Sequence, residues 1–272
     1  MVRSPIKSTG IEFQTIRAAL NDLHLGGIRY YSTVASTNDV AINWALENAK
    51  DMSLVLSDKQ MNGRGRNGSN WFSSGKASLT FSLIIRPREN EFRSIGLFTA
   101  LAALAVTQSI NVLPGIKKPE IKWPNDILLN GRKVCGILTE ASWNGDELAS
   151  LVIGVGINIS VGSVPSNETT NFPATSLEQE ANFSIGRIDL LHQILQEVNN
   201  WRFQLGKPEF ISAWEGSLAY IGRRVNISPQ FGQSWIGIIV GLDPDGGLRV
   251  LNEQGDPVTL HDGEVKVEIS GS

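Results

Sequence analysis

Apolar positions along this chain recur in two rhythms. Phe13, Ile16, Leu20 and Leu23 fall at helical spacing and predict an opening helix that ends near Gly26 and Gly27. A strand is predicted over 28–33. Val40, Ala41, Trp44, Ala45 and Ala49 make a second amphipathic helix, with Ser36, Thr37 and Asn38 in front of it as candidate N-caps. Leu54 to Leu56 reads as a buried strand, and after a Gly-rich loop 79–86 reads as another, with alternating apolar residues. Ile95 to Ile110 is a strongly apolar helix. Four strand-like runs follow at 121–123, 127–129, 134–138 and 148–159, and Asn130-Gly131 between two of them is a type I′ hairpin signal. Strands joined mainly by turns predict a mixed or antiparallel sheet with helices on one face.

Beyond Ser160 the chain to Thr175 is rich in Ser, Asn, Thr, Gly and Pro and reads as a loop. Ile188, Leu191, Leu195, Val198 and Trp201 then mark a long helix up to Leu205. From about Ser217 the texture changes to short strands at 224–228, 235–242, 248–251, 257–260 and 264–269, the pattern of a small β-barrel. A boundary near Gly216 divides the chain into 1–216 and 217–272.

Composition narrows the function classes. The 272 residues carry 41% hydrophobic and 19% charged side chains, with 27 Gly and 11 Pro, as in a folded globular protein and unlike a disordered or collagenous one. A net charge of -3 argues against wholesale nucleic-acid binding. No apolar run approaches a membrane span, and the start MVRSPIKSTG lacks a signal peptide's apolar stretch, so a cytoplasmic protein without membrane association is expected. Cys135, the single cysteine, excludes an internal disulfide, and with three histidines there is no Cys/His cluster at zinc spacing. Its apolar surroundings, Val134 to Leu138, favour a buried structural thiol over a nucleophile.

The chemistry concentrates in Gln60-Met61-Asn62-Gly63-Arg64-Gly65-Arg66-Asn67-Gly68-Ser69-Asn70-Trp71. Residues 59–93 hold seven Lys/Arg against two Asp/Glu, a basic region inside an acidic protein that implies an anionic ligand. Glycines let backbone N–H groups approach an anion, and arginines supply planar forks for phosphate or carboxylate. Gly63, Gly65 and Gly68 formally satisfy G-x-G-x-x-G, but a loop and strand follow where a dinucleotide site needs a helix. No Lys-Ser/Thr follows Gly68, which excludes a P-loop. A plain basic hairpin loop remains the alternative for Gly-Arg-Gly-Arg alone.

Together with Lys122-Trp123-Pro124-Asn125-Asp126, the run Gly131-Arg132-Lys133-Val134-Cys135-Gly136-Ile137-Leu138-Thr139-Glu140, and Gly154-Val155-Gly156-Ile157-Asn158, this block resembles the biotin protein ligase family over roughly residues 30–270. The resemblance implies an α+β domain with a class II synthetase-like mixed or antiparallel sheet, followed by a C-terminal SH3-like barrel. It implies biotin-[acetyl-CoA-carboxylase] ligase activity: biotin and MgATP give biotinyl-5′-AMP and pyrophosphate, and the biotinyl group passes to one lysine of a biotin carboxyl carrier protein. Biotin-contacting positions are then Ser36, Thr37, Asn38, Gln60, Arg64, Gly65, Arg66 and Lys133. Arg64, Arg66, Trp71, Lys122, Asn125, Asn158 and Phe172 match nucleotide-binding positions, Phe172 as a cover for adenine. Asp126 and Asn158 match positions near Mg²⁺, where hard oxygen ligands suit the ion. Lys133 and Arg66 are the expected catalytic residues; the ammonium would offset repulsion as the biotin carboxylate attacks the α-phosphate. Asn67 and Ser69 depart from the family's commonest pattern, where further arginines stand.

Each residue also has a plainer reading. Ser36-Thr37-Asn38 can cap a helix, Lys133 can be a solvated lysine beside a turn, Asp126 can belong to a Pro-Asn-Asp turn, and Asn158 can cap a strand end. Trp123 reads as core packing and pocket wall. Bifunctional members of the family carry an N-terminal helix-turn-helix; only one helix and one strand precede Ser36, so no specific DNA binding is expected. A weak homodimer is expected. The rival readings are a lipoate ligase or octanoyltransferase of the same fold, and a non-catalytic scaffold whose terminal barrel binds partners.

Overall fold

The computed structural model describes residues 10–144, 147–165, 172–229 and 232–267. The chain opens with α1 (Ile11–Ala19), shorter than its apolar pattern predicts because residues 20–22 leave the helix as a turn. Then come β1 (Gly27–Val34), α2 (Thr37–Leu46), β2 (Ser53–Gln60), the two-residue strands β3 (Gly63–Arg64) and β4 (Asn70–Trp71), and β5 (Ser78–Ile85). After 3₁₀ turns over Glu89–Leu97 follow α3 (Phe98–Asn111), β6 (Glu120–Lys122), β7 (Asp126–Leu129), β8 (Arg132–Asn144) and β9 (Glu147–Asn158). Next are α4 (Leu177–Ala181), α5 (Arg187–Arg202) and α6 (Pro208–Glu215), then β10 (Arg224–Ser228), β11 (Trp235–Leu242), β12 (Leu248–Leu251), β13 (Pro257–Leu260) and β14 (Glu264–Val267).

Seven strands form one mixed sheet in the order β1-β2-β5-β9-β8-β7-β6, with β1 and β2 parallel and every other pairing antiparallel. Asn130 and Gly131 both take positive φ (50° and 71°), the conformation a type I′ turn requires between β7 and β8. Helices cover both faces, against the expectation of one. Leu54 and Leu56 of β2 face the main core with α3 and α5, whereas Val55, Ile84 and Val152 face Ala41 and Ala45 of α2. The small residues of α2 allow it to lie close to that second face, and the unfilled part of the face becomes the site. α3 is apolar almost all round and buried almost all round, as a core helix must be. With its preceding turns, Glu89–Asn111 is long and apolar enough to cross a membrane by length and composition, but 67% of that window is buried inside the protein.

One buried ion cluster braces this layer. Arg202 of α5, 2% exposed, pairs with Glu91 at 2.7 Å and Asp51 at 2.8 Å. The last five strands form at the places their spacing predicts, and they pair as an antiparallel sheet in the order β13-β12-β11-β10-β14, where a small barrel was expected; residues 268–269 of the expected final strand lie outside the described residues. Backbone bonds from Ile121 N–H to Ser217 O (2.7 Å) and from Ala219 N–H to Ile121 O (2.9 Å) attach the start of this unit to β6. Part of the predicted loop after Ser160, residues 166–171, is likewise outside the described residues.

Candidate active site

The floor of the site is set by strand alternation. On β9, Leu151, Ile153, Val155 and Ile157 enter the core, so Gly154 and Gly156 face the other side of the sheet. Across the ladder Gly136 of β8 pairs with Gly156, and Leu138 with Gly154. A Cβ on Gly154 would stand 2.2 Å from Asn38 Oδ1, and one on Gly156 2.3 Å from the Trp71 ring, so side chains close in here only because the floor has none. Above it lies a cavity walled by α2's N-terminus, the loop from Arg64 to Trp71, and the turn from Lys122 to Asp126. Twelve of the fourteen predicted site residues line it: Ser36, Thr37, Asn38 and Gln60 at one end, Arg64, Gly65, Arg66 and Trp71 over the top, Lys122, Asn125, Asp126 and Lys133 at the other.

At the first end the triplet is buried and tied down. Ser36 occupies the N-cap of α2, but its side chain makes no cap bond. Gln60 supplies the cap instead: its Oε1 accepts from Thr37 N–H at 2.7 Å. Asn38 Nδ2 donates to Glu140 Oε2 at 2.6 Å and to Leu138 O at 3.3 Å, while Ser82 donates to Asn38 Oδ1 at 2.6 Å. Asn38 therefore works as a clamp across three strands.

At the second end a β-bulge does the positioning. Ile127 pairs with Cys135 but Leu128 pairs with Lys133, so Val134 is the extra residue. Val134 and Cys135 both enter the core, and the shifted phase brings Lys133 to the glycine side, with its Nζ 3.2 Å from where a Gly136 Cβ would be. Lys133 Nζ stands 2.6 Å from Asp126 Oδ1, and Lys122 Nζ donates to Asp126 Oδ2 at 3.4 Å. Two ammoniums against one carboxylate leave this end cationic. The reading of Lys133 as a freely solvated lysine does not survive this geometry. Cys135 is fully buried, and burial pushes its thiol well up, so it stays protonated and packs.

The loop arginines are held by carboxylates. Arg64 pairs with Asp39 at 2.7 Å and Glu140 at 2.9 Å, and Arg66 pairs with Asp262 of the terminal unit. Trp71 covers the Gly136 and Gly156 floor, and its Nε1 is a buried donor without a partner among the described residues.

Phe172 and Asn158 do not line the cavity. The Phe172 ring centroid lies 4.9 Å from Lys122 Nζ, at the cationic end. Asn158 is buried and donates to Thr175 O at 3.0 Å; Thr175 N–H in turn donates to Lys133 O, so Asn158 fixes the segment beside Lys133. Three residues outside the sequence-based set belong to the site: Ser82, Glu140 and Asp262. Glu140 ends the motif that contains Lys133 and could have been found as the only carboxylate there; Ser82 and Asp262 carry no local signal.

Three comparisons place this arrangement among known proteins. Residues 30–158 match the sequence model of the Biotin/lipoate A/B protein ligase family. The chain is 34% identical over 229 residues to a bifunctional ligase/repressor BirA of Bacillus spizizenii, covering 83% of this chain and 70% of that protein. It is 28% identical over 274 residues to a biotin--[acetyl-CoA-carboxylase] ligase of Mycobacterium tuberculosis, covering 97% and 96%. Its fold is similar to that of a biotin protein ligase from Aquifex aeolicus in complex with biotin and ATP, with a TM-score of 0.75, 27% identity and coverage of 89% and 98%.

Proposed function

The chain belongs to the biotin protein ligases of the biotin/lipoate A/B protein ligase family, and we propose that its cleft activates biotin with ATP and hands it to a carrier protein's lysine. The observation that carries this reading is the gradient along one glycine-floored cleft. A polar, apolar-walled end at Ser36, Thr37 and Gln60 suits a neutral ureido ring, and a cationic end at Lys122 and Lys133 suits phosphates.

In the first step a biotin carboxylate oxygen attacks the α-phosphorus, the bond to the β-phosphate oxygen breaks, and pyrophosphate leaves. Two anions must meet, and the work of the protein is electrostatic. Lys133, held at the floor by the bulge and by Asp126, stabilises the negative charge that grows on the α-phosphoryl oxygens. Arg64 exchanges its carboxylate partners for the ligand's anionic groups, and Arg66, kept on Asp262 through one terminal nitrogen, turns the rest of its fork to them, which strengthens the grip as the adenylate forms. In the second step the uncharged lysine amine of the carrier attacks the acyl carbon and AMP departs. No protein nucleophile is needed, consistent with the buried, protonated Cys135.

Asp126, facing two ammoniums, is too cationic a setting to hold a divalent ion by itself, and among the described residues no three His, Cys, Asp or Glu side chains come together. The setting fits a magnesium that would arrive on ATP; Asp126 would offer it a hard oxygen ligand, and the ion would supply neutralisation of phosphate charge. ATP as substrate puts the proposed site of action in the cytoplasm. We propose 1–216 as the catalytic unit and 217–272 as the terminal unit. The test is to incubate the protein with ATP and a biotin carboxyl carrier domain, offering biotin or lipoate. Mass addition of one biotinyl group to the carrier lysine supports the proposal; lipoyl transfer without biotinyl transfer, or no transfer of either, rejects it.

A further inference from the structure

The terminal sheet reaches into the cleft. Its turn between β13 and β14 brings Gly263 and Glu264 to the cavity wall and sets the Asp262 carboxylate against the Arg66 guanidinium. Asp262 Oδ1 also accepts from Gly263 N–H at 2.7 Å, and Gly263, with φ 132°, holds a conformation other residues rarely adopt, so the carboxylate is fixed from its own side. Arg66 Nη1 meets Asn125 Oδ1 at 3.4 Å, beside the Lys122 to Asp126 turn. The loop itself is internally braced by Gly65 N–H to Ser69 O (2.7 Å) and Ser69 Oγ to Arg66 O (2.8 Å). Arg64 is held within the catalytic unit by Asp39 and Glu140. Arg66 is held across the boundary, from a residue 196 positions away in the chain.

We propose that Asp262 is a positioning residue: it holds Arg66 over the cleft, and through this pair the terminal sheet keeps the acyl adenylate in place until the acceptor lysine arrives. This rests on the ligase reading given above. Asp262 touches no reacting atom; it acts by keeping one arginine in the geometry from which it grips the ligand. The two side chains are 26% and 42% exposed, so the effect belongs to the range of partly solvated ion pairs, about 2–5-fold in a rate, and salt weakens it.

The experiment measures release of preformed biotinyl-5′-AMP from the full chain, from Asp262→Asn, Asp262→Glu and Arg66→Ala, and from the Asp262→Asn/Arg66→Ala double variant. Thermal unfolding is recorded for each, and every rate is taken at low and high salt. Asp262→Asn is expected to release the adenylate about 2–5-fold faster with unchanged unfolding, Asp262→Glu to restore retention, and the difference to shrink at high salt. In the Arg66→Ala background Asp262→Asn should add nothing. Release at the unaltered rate, or an Asp262→Asn effect that multiplies fully onto Arg66→Ala, overturns the proposal. If the unaltered chain forms no adenylate from biotin and ATP, the ligase reading itself falls, a result distinct from normal adenylate formation with no effect of Asp262.

Discussion

Lys133 shows how much one residue owes to its neighbours. As a letter beside Asn130-Gly131 it is an ordinary turn lysine; the extra residue Val134 turns it to the glycine face and Asp126 holds it there. Lys133→Ala is expected to leave the fold intact, because the side chain is partly exposed and no core contact is lost, and to lower adenylate formation by ~10²–10³. Pyrophosphate release at saturating biotin and ATP measures this; unaltered turnover would return Lys133 to the surface lysines. Most residues of the cleft were legible in the sequence through the resemblance of their motifs to a known family, and the basic glycine loop also through the affinity of its residue types for anions. Ser82 and Asp262 were not, since each acts through contacts made only when distant segments meet: Asn38 with Ser82, Arg66 with Asp262.

At the scale of elements, legibility followed locality. The β7–β8 hairpin is written in Asn130-Gly131, and α5 in its apolar spacing. The β-bulge, the two-residue pair β3–β4 and the short helices α4 and α6 were missed, although Pro208 at the first turn of α6 is a recognisable start signal. The covering of the sheet by α2 on its second face escaped because two alanines make a weak stripe. The Arg202 and Glu91 pair locks α5 to the turns before α3. Burial pushes Glu91 up, but the Arg202 guanidinium and the Arg88 N–H outweigh it and hold the carboxyl below its ordinary value of 4.5. The depressed folded value means the pair stabilises the fold fully above about pH 4.5 and loses that contribution as pH falls through the folded value. Arg202→Leu leaves the Glu91 carboxylate buried without its cationic partner, held only by the Arg88 N–H, and is expected to cost ~3–5 kcal/mol at neutral pH. Urea unfolding should show this loss at pH 7 and a smaller one below pH 4; an equal loss at both would mean that packing rather than charge sets it.

Across the whole molecule, a single sheet serves as core on one face and as reaction floor on the other, and the terminal sheet closes the far wall through the turn at Asp262. The overall class and the five terminal strands were predicted from pattern; the way the two sheets share a site was not, because it depends on contacts that sequence spacing does not encode. The central claim is that this cleft makes an acyl adenylate without a covalent protein intermediate. Its most direct measurement is to mix the protein with biotin and α-labelled ATP in the absence of any carrier, desalt, and analyse the retained label. The account predicts biotin-dependent release of pyrophosphate and labelled biotinyl-5′-AMP that stays with the protein and is freed intact by denaturation. Label that stays attached to the denatured chain, or no biotin-dependent retention at all, would contradict it.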